Sequence, residues 1–287
     1  MLLLKSIANA VFQPFLDWLL GRSSTQGQFV WKPKWTVFLA DNVAFYRVLS
    51  DEDKCIFEQR CLLFINSTRV EAGAFVVSDE DRLLVAASAV IPVWGFPDWH
   101  YFNVAAVFLL PGAFNDKFEC GKPDSTISGM VGTGPMKGKM ALSSPHLYLG
   151  FQNSRDKSNV GIHEFVHMID MADGFCDGLP ERLHKFECTA QWFDFVEHKI
   201  NQINKGDSNI NRYGATNRQE FFAVASEYFF ERPEMLKQKH PKLFSVLSDF
   251  YQQNVLEIEK DIQIRGKAPC PCGSGQRYKR CCLPSNS

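Results

Sequence analysis

Apolar positions recur at helical spacing along most of the second half of this chain. The pattern predicts helices over residues 159–172, 181–204, 217–231 and 241–259. Residues 41–75 have the same spacing around a helix-start signal at Ser50-Asp51-Glu52-Asp53. Residues 82–94 are apolar throughout and fit either a buried helix or a buried strand, because periodicity alone does not separate the two.

Short apolar runs bounded by glycine and proline predict strands in the middle of the chain. Residues 103–110 (NVAAVFLL) read as a buried strand that ends at Pro111-Gly112. Residues 129–151 read as short antiparallel strands joined by glycine turns. We expect turns at Gly132 and Gly134 rather than a phosphate-binding loop, because the segment lacks the lysine and the strand-to-helix setting of such a loop. The pattern therefore predicts an α+β fold with a small antiparallel sheet.

Composition narrows the class of protein, and charge sets the C-terminus apart. A hydrophobic content of 45% and a charged content of 22% exclude a disordered, collagenous or coiled-coil chain. The net charge of -1 gives no general attraction to nucleic acid. Residues 262–287, however, hold five basic side chains and no acid, which leaves -6 on the remainder. No apolar run reaches the length of a membrane span.

The cysteines and the N-terminus bear on the compartment. Five of the nine cysteines are dispersed, as small buried hydrophobes in a reducing compartment usually are, so we expect a cytoplasmic protein. Residues 1–22 place apolar side chains four apart and predict a docking or membrane-surface helix. A cleaved secretory signal is disfavoured because Gln13, Pro14 and Asp17 interrupt the apolar run.

Residues 163–167 spell His-Glu-Phe-Val-His, an HExxH motif. On a helix, positions i and i+4 share one face, so His163 and His167 can bind one metal ion, zinc above all. Glu164 lies beside the pair, where it can act as the general base toward a water molecule at the metal. The surrounding amphipathic pattern, with Ser158 or Asn159 as a helix cap, favours this interpretation over a helix with two ordinary histidines.

A catalytic zinc site needs a third protein ligand. No third histidine follows at HExxHxxGxxH spacing, so a carboxylate from a later helix is expected. Glu220 and Glu227 are seven residues apart on an otherwise apolar helix, where a buried carboxylate is costly unless it is paired or bound to metal. Glu181, Glu187 and Glu197 are competitors on helices with ordinary polar faces.

Three motifs in order carry a resemblance to a known family. HEFVHMID at 163–170, Tyr213 seven residues before Glu220, and EFFAVASEYFF at 220–230 together resemble the Mlc titration factor A family of zinc peptidases. More distantly, they are similar to the catalytic domain of anthrax lethal factor. The resemblance covers about residues 30–260. It implies a cytosolic gluzincin-type metallopeptidase with aminopeptidase activity that also binds a transcriptional repressor.

The resemblance also implies roles for individual residues. His163, His167 and Glu220 match the zinc ligands, Glu164 matches the general base, and Tyr213 matches a tyrosine that donates to the oxyanion. The chain departs from the pattern where relatives carry Leu-Ser-Trp, because it has Leu142-Ser143-Ser144-Pro145. We expect that segment to be the strand at the edge of the cleft, so substrate preference does not carry over.

Two further acidic residues are candidates for hydrogen-bonding the metal ligands from behind. Asp170 lies three residues after His167 and either holds the second ring nitrogen of a ligand histidine or bonds local backbone at the helix end. We expect Glu227 to be an acceptor behind the ligands rather than a surface charge.

The C-terminal segment reads as a second, closed metal site. Cys270, Cys272, Cys281 and Cys282 form a CxC pair and a CC pair, which suits one tetrahedral structural zinc, and the spacing resembles the SEC-C motif. A piece this small needs the metal to fold, and two disulfides are disfavoured in a reducing compartment. Its basic character suggests docking to an acidic protein surface or the ribosome, with RNA as the alternative.

These observations divide the chain into three parts. We expect an N-terminal extension over residues 1–30, a zinc metallopeptidase domain over 31–262 and the zinc-binding module over 263–287. The predicted activity is hydrolysis of a peptide or protein substrate with one catalytic and one structural zinc. The alternative is a protein without enzyme activity that sequesters a transcriptional repressor and uses its zinc for architecture.

Overall fold

The computed structural model describes residues 28–132, 136–153, 157–180, 189–253 and 255–256. Ten helices and four strands follow one another within these ranges, with 3-10 turns at Met171–Asp173 and Arg212–Ala215. In chain order they are α1 (Pro33–Asn42), α2 (Ala44–Val48), α3 (Asp51–Ser67), β1 (Arg69–Ala72), α4 (Asp79–Val90), β2 (Ala106–Leu110), β3 (Gly129–Val131), β4 (Lys139–Ser143), α5 (Ser144–Gln152), α6 (Val160–Asp170), α7 (Thr189–Lys205), α8 (Arg218–Glu231), α9 (Pro233–Lys239) and α10 (Pro241–Tyr251). The α+β class is confirmed.

The sheet is mixed, so the expectation of a small antiparallel sheet holds only for the β3–β4 pair. Its strand order is β1-β2-β4-β3, with β1 and β4 both parallel to β2 and only β3 antiparallel to its neighbour β4. The crossover through α4 explains the parallel β1–β2 pair, because parallel strands need a long connection that is usually a helix. β3 forms one edge of the sheet.

Strand β2 separates two apolar layers, and every one of its residues is buried. Val107 and Leu109 point into the main core with the helices. Phe108 and Leu110 point into a smaller cluster, which also contains Phe114. Burial on both faces explains why this strand appears in the sequence as a continuous apolar run rather than an alternating one.

The segment predicted as one helical stretch over residues 41–75 contains two helix breaks and a strand. The first break is at Val43, between α1 and α2, and the second is at Leu49 and Ser50, between α2 and α3; the backbone is extended at each. Ser50 does start a helix, because its side chain accepts a hydrogen bond from the backbone N of Asp53. After α3 the chain becomes β1, which pairs with β2 along its length. The stretch at 82–94 is resolved as helix α4, over Asp79–Val90.

Two expectations for residues 142–151 are wrong. Residues 146–151 lie in helix α5, because Pro145 occupies the first turn of a helix, where a missing N–H costs nothing. The Leu142–Pro145 segment is not an edge strand: Leu142 and Ser143 end β4, which lies between β2 and β3, and Ser144 already belongs to α5. The edge strands are β1 and β3, and β3 is the one next to β4.

Helix α6, which carries the HExxH motif, packs against α4 at very short range. At the crossing, Gly161 faces Ser88, and a Cβ added at Gly161 would collide with the Ser88 hydroxyl. On its other side α6 contacts α8. The predicted helices at 159–172 and 217–231 therefore correspond to α6 and α8, and their contact brings two distant sequence motifs together.

Several predicted features lie outside the described residues. They are the N-terminal helix at 1–22, the start of the helix predicted at 181–204, residues 257–259 of the last predicted helix, Gly134 and the four-cysteine module at 263–287. Within the described ranges, no helix is long and apolar enough to cross a membrane.

Candidate metal centre

Helix α6 positions both histidines of the motif and the glutamate between them. It begins after Asn159, whose Oδ1 accepts a hydrogen bond from the backbone N of Ile162 at 3.1 Å. His163, Glu164 and His167 are all buried. The Nε2 atoms of the two histidines lie 3.1 Å apart, as expected for positions i and i+4 on one helix face.

Glu220 reaches the same point from α8. This helix begins after Asn217, whose side chain accepts a hydrogen bond from the backbone N of Glu220 at 2.8 Å. Oε2 of Glu220 lies 3.0 Å from Nε2 of His163 and 3.5 Å from Nε2 of His167. Among the described residues, this trio is the group of histidine, cysteine or acidic side chains arranged closely enough to hold a metal ion, with its donor atoms within 4.8 Å of one another.

The second carboxylate of α8, Glu227, lies behind His163. Its Oε1 is 2.7 Å from Nδ1 of His163, and its Oε2 accepts a hydrogen bond from the backbone N of Asn159 at 2.6 Å. A neutral His163 that donates from Nδ1 to Glu227 has only a lone pair at Nε2. That lone pair faces the carboxylate oxygen of Glu220 at 3.0 Å. Two acceptors this close repel each other unless a cation or a proton lies between them.

The electrostatics of the trio favour positive charge at the same point. Burial opposes protonation of His163, but the carboxylates of Glu227 and Glu220 outweigh it and raise the pKa of His163 well above its ordinary value. Burial likewise opposes ionisation of Glu220, yet hydrogen bonds with His163 and His167 lower the pKa of Glu220 to about 2. The field that attracts a proton to this pair also attracts a metal cation.

Glu164 is enclosed beside the histidines. Burial raises the pKa of its carboxyl, although the neighbouring His163 and His167 act in the opposite direction. Gly129, the first residue of edge strand β3, lies directly against it. A Cβ added at Gly129 would come within 2.5 Å of Oε1 of Glu164 and 2.7 Å of its Cγ. The Glu164 carboxylate can occupy this position because Gly129 has no side chain.

Tyr213 lies at the opening of the site. It belongs to the 3-10 turn Arg212–Ala215, which starts where the Asn211 side chain accepts a hydrogen bond from the backbone N of Tyr213. Its ring centroid is 5.9 Å from that of His163, and 55% of the residue is exposed. Burial of the hydroxyl and the negative charge of Glu220 raise the pKa of Tyr213, so it stays a proton donor at neutral pH.

In the structure, Asp170 hydrogen-bonds backbone and neither histidine of the motif. It is fully buried, and its Oδ2 accepts a hydrogen bond from the backbone N of Gly178 at 2.9 Å. Burial raises the pKa of Asp170 to about 6. The second ring nitrogen of His167 instead faces Cys176, whose Sγ lies 4.0 Å from Nδ1. Burial, and then the charge of Asp170, raise the pKa of the Cys176 thiol.

Sequence reasoning passed over Gly129 and Cys176. Both lie outside the motifs. Gly129 meets Glu164 only through the packing of β3 against α6, whereas Cys176 lies in the loop that follows α6. Among the competing acids, Glu197 lies at the surface, where it pairs with Arg218 at 2.9 Å. Glu181, Glu187 and the four cysteines of the C-terminal module lie outside the described residues.

Comparison with known proteins assigns two parts of the sequence. The model of one family, the glucose-regulated metallo-peptidase M90 family, matches residues 19–252. The model of the SEC-C motif matches residues 267–284, which contain the four-cysteine segment. The two matches do not overlap.

Individual relatives match the chain over different shares of its length. The chain is 29% identical over 250 residues to the uncharacterized protein slr2042 of Synechocystis sp., which covers 83% of this chain and 89% of that one. It is 30% identical over 158 residues to Mlc titration factor A of Serratia proteamaculans, covering 50% of this chain and 59% of the relative. For Mlc titration factor A of Escherichia fergusonii, the identity is 34% over 119 residues, covering 38% and 44%. The chain thus spans about half the length of these titration factors, whereas the family model matches most of the chain. The chain belongs to the glucose-regulated metallo-peptidase M90 family.

Proposed function

We propose that this chain is a zinc-dependent peptidase whose active site is built on α6 and α8. The observation that carries the proposal is the convergence of two imidazole nitrogens and one carboxylate oxygen at separations of 3.0, 3.1 and 3.5 Å. A tetrahedral zinc with ligands at about 2.0–2.1 Å holds its ligands about 3.3 Å apart, so the trio fits this ion. Three protein ligands leave the fourth position free, as catalytic sites require.

The neighbouring residues fit hydrolysis of a peptide bond. A bound zinc ion would polarise the scissile carbonyl and lower the pKa of an attacking water. Glu164 accepts the proton of that water as its oxygen bonds to the carbonyl carbon. It then passes the proton to the leaving amine as the C–N bond breaks. Burial also raises the pKa of Glu164 above its ordinary value, which makes the carboxylate a better proton acceptor.

Tyr213 supplies the remaining charge stabilisation in this proposal. Its hydroxyl remains protonated at neutral pH, since burial and Glu220 raise its pKa. A donor at the mouth of the site, close to His163, is suited to hydrogen-bond the oxyanion that develops on the carbonyl oxygen. Glu227 supports the ligand set from behind through His163.

The C-terminal module is proposed to hold a second, structural zinc through Cys270, Cys272, Cys281 and Cys282. The match to the SEC-C motif over residues 267–284 supports this assignment. Four thiolates close a tetrahedral site and leave no position for a substrate. The module therefore serves folding and docking rather than chemistry, and its basic residues suit an acidic protein surface or the ribosome.

Cleavage of a peptide library by the zinc-loaded full-length chain tests the peptidase assignment. The His163→Ala variant is the matched control, because it removes one ligand and leaves the C-terminal module intact. Cleavage by the parent but not by this variant supports the proposal, and N-terminally blocked peptides show whether a free amine is required, as for an aminopeptidase. Failure of the parent to cleave above the His163→Ala background would overturn it.

A second candidate function is binding of a transcriptional regulator. It is favoured by the name of several relatives, Mlc titration factor A, which describes those proteins as titrating Mlc. A cytoplasmic location fits either candidate. If the chain only sequesters a partner, its zinc would be architectural, and the chain would bind purified Mlc repressor while no peptide is cleaved.

A further inference from the structure

The loop after α6 brings a thiol to the back of His167. Nε2 of His167 faces His163 and Glu220, whereas Nδ1 on the other side of the ring faces Sγ of Cys176 at 4.0 Å. A histidine that binds a metal through one nitrogen needs a partner at the other, because this partner fixes the tautomer and the orientation of the ring. His163 has the carboxylate of Glu227 in that role.

Cys176 is held in place by the same two helices that carry the metal ligands. Its carbonyl oxygen accepts a hydrogen bond at 2.7 Å from Nε2 of Gln219, the residue next to Glu220 on α8. Two residues on, the backbone N of Gly178 donates to Oδ2 of Asp170 on α6. The carbonyl of Gly178 in turn accepts from Nε1 of Trp192 on α7 at 2.8 Å. The loop position is thus fixed from three helices.

Asp170 offers the thiol an acceptor. The residue is fully buried, yet its Oδ1 has no hydrogen-bond partner among the described residues. A buried carboxylate oxygen without a donor is costly. Cys176 is two residues before Gly178, whose backbone N already donates to the other oxygen of Asp170, so the S–H group can supply the missing donor.

We propose that Cys176 is a positioning residue for His167, accepting a hydrogen bond from Nδ1 and donating its own proton to Oδ1 of Asp170. The inference rests on the proposed function in that His167 is a zinc ligand through Nε2. A neutral thiol is suited to this place, because Glu164, Glu220 and Glu227 already bring three carboxylates to the site. A fourth carboxylate in direct contact would add further negative charge, whereas a thiol orients the ring without it.

Zinc retention by the full-length chain tests this role independently of hydrolysis. Cys176→Ser keeps a group that both donates and accepts, whereas Cys176→Ala removes it, and the two side chains differ only in the hydroxyl. Zinc would be measured across a chelator titration, with the His163→Ala variant as the background from the C-terminal module. We expect Cys176→Ala to release the α6–α8 zinc at a chelator concentration about 10-fold below the one that the parent needs. The concentration for Cys176→Ser should lie between those of Cys176→Ala and the parent.

The matched controls are Cys120→Ser and Cys120→Ala. Cys120 is also a half-buried free thiol, but its Sγ faces the carbonyl of Gly112. Both Cys120 variants should retain zinc like the parent. Parental retention by Cys176→Ala, or equal loss in Cys176→Ser and Cys176→Ala, would overturn the inference.

Failure of the proposed function is distinguishable from failure of this inference. If the parent binds no more zinc than His163→Ala, the zinc site itself is wrong. If the parent binds zinc but cleaves no peptide, the peptidase assignment is wrong, and the chelator comparison still decides the role of Cys176.

Discussion

Glu227 links α8 to α6 by accepting two hydrogen bonds, one from Nδ1 of His163 at 2.7 Å and one from the backbone N of Asn159 at 2.6 Å. It therefore fixes both the start of α6 and the ring orientation of a proposed ligand. Because it accepts hydrogen bonds on both oxygens, a glutamine cannot replace it without placing its amide N–H₂ against another donor.

Glu227→Gln should therefore weaken zinc binding at the α6–α8 site by about 10- to 100-fold, the usual cost of losing such a partner. Zinc content after a chelator titration measures the effect. Glu197→Gln is the control, because Glu197 lies at the surface against Arg218. If Glu227→Gln held zinc as tightly as Glu197→Gln does, the supporting role of Glu227 would be wrong.

Gly129→Ala tests the position of Glu164. The added methyl would press on the Glu164 carboxylate but touch none of the zinc ligands within its nearest contacts. We expect kcat for peptide hydrolysis to fall by about 10- to 100-fold, since a displacement near 1 Å of a catalytic group costs about that much. Zinc content should be unchanged.

Gly112→Ala provides the comparison for the Gly129 variant. A Cβ at Gly112 meets nothing within 4 Å, and the residue does not require a left-handed backbone. Its hydrolysis rate should match the parent. Equal rates for the two alanine variants would show that β3 does not constrain Glu164.

The ion pairs between the start of α1 and Asp79 of α4 should add a stability that depends on pH. Burial acts to raise the pKa of Asp79, but hydrogen bonds from Lys34 and Lys32, at 2.8 and 3.0 Å, outweigh it and hold the pKa below the ordinary value. A lowered carboxyl pKa gives stability that is present above the unfolded pKa and is lost as pH falls through the folded one.

Asp79→Asn should accordingly lower the free energy of unfolding by about 0.5–1 kcal/mol near pH 7, a small effect because both lysines are largely exposed. The difference from the parent should shrink below about pH 4, where the carboxyl of the unfolded chain becomes protonated. Denaturant unfolding at a series of pH values measures it. A difference that grew toward acid pH would contradict this account.

The C-terminal module can be separated from the chemistry by deletion. Removing residues 266–287 should remove one zinc per chain, because all four cysteines of the module are lost. Small-peptide hydrolysis should stay within about threefold of the parent, since no proposed catalytic group is removed. Zinc analysis and a peptide assay on the same preparation check both statements. A folded deletion variant that kept both zincs, or lost small-peptide hydrolysis, would disprove this division.

The features that could be predicted from the sequence depend on residues close together in the chain. The i and i+4 spacing of His163 and His167 is a property of a single helix, so the geometry of α6 followed from the motif. Ser50 was identified as a helix start because a cap involves only neighbouring residues. The apolar pattern of the later helix marked both Glu220 and Glu227 as candidates. Choosing Glu220 required a resemblance, because it meets His163 only through the packing of α6 on α8, 57 residues along the chain.

The wrong predictions concern residues whose structure depends on contacts with other parts of the fold. Residues 146–151 alternate like a strand, but Pro145 and the end of the sheet at Ser143 place them in a helix. β1 was hidden in a helical-looking segment, since its strand character comes from pairing with β2. Gly129 was missed because it meets Glu164 only through the packing of β3 against α6. Cys176 is only nine residues from His167, but no motif marks it.

The most direct test of the central claim is the Glu164→Gln variant, assayed for zinc and for peptide hydrolysis together. Glutamine keeps the shape of the side chain but cannot accept the proton of an attacking water, and it removes no proposed ligand. We expect zinc content equal to that of the parent and hydrolysis reduced by about two to four orders of magnitude. Hydrolysis at the parental rate by a zinc-loaded Glu164→Gln chain would contradict the account.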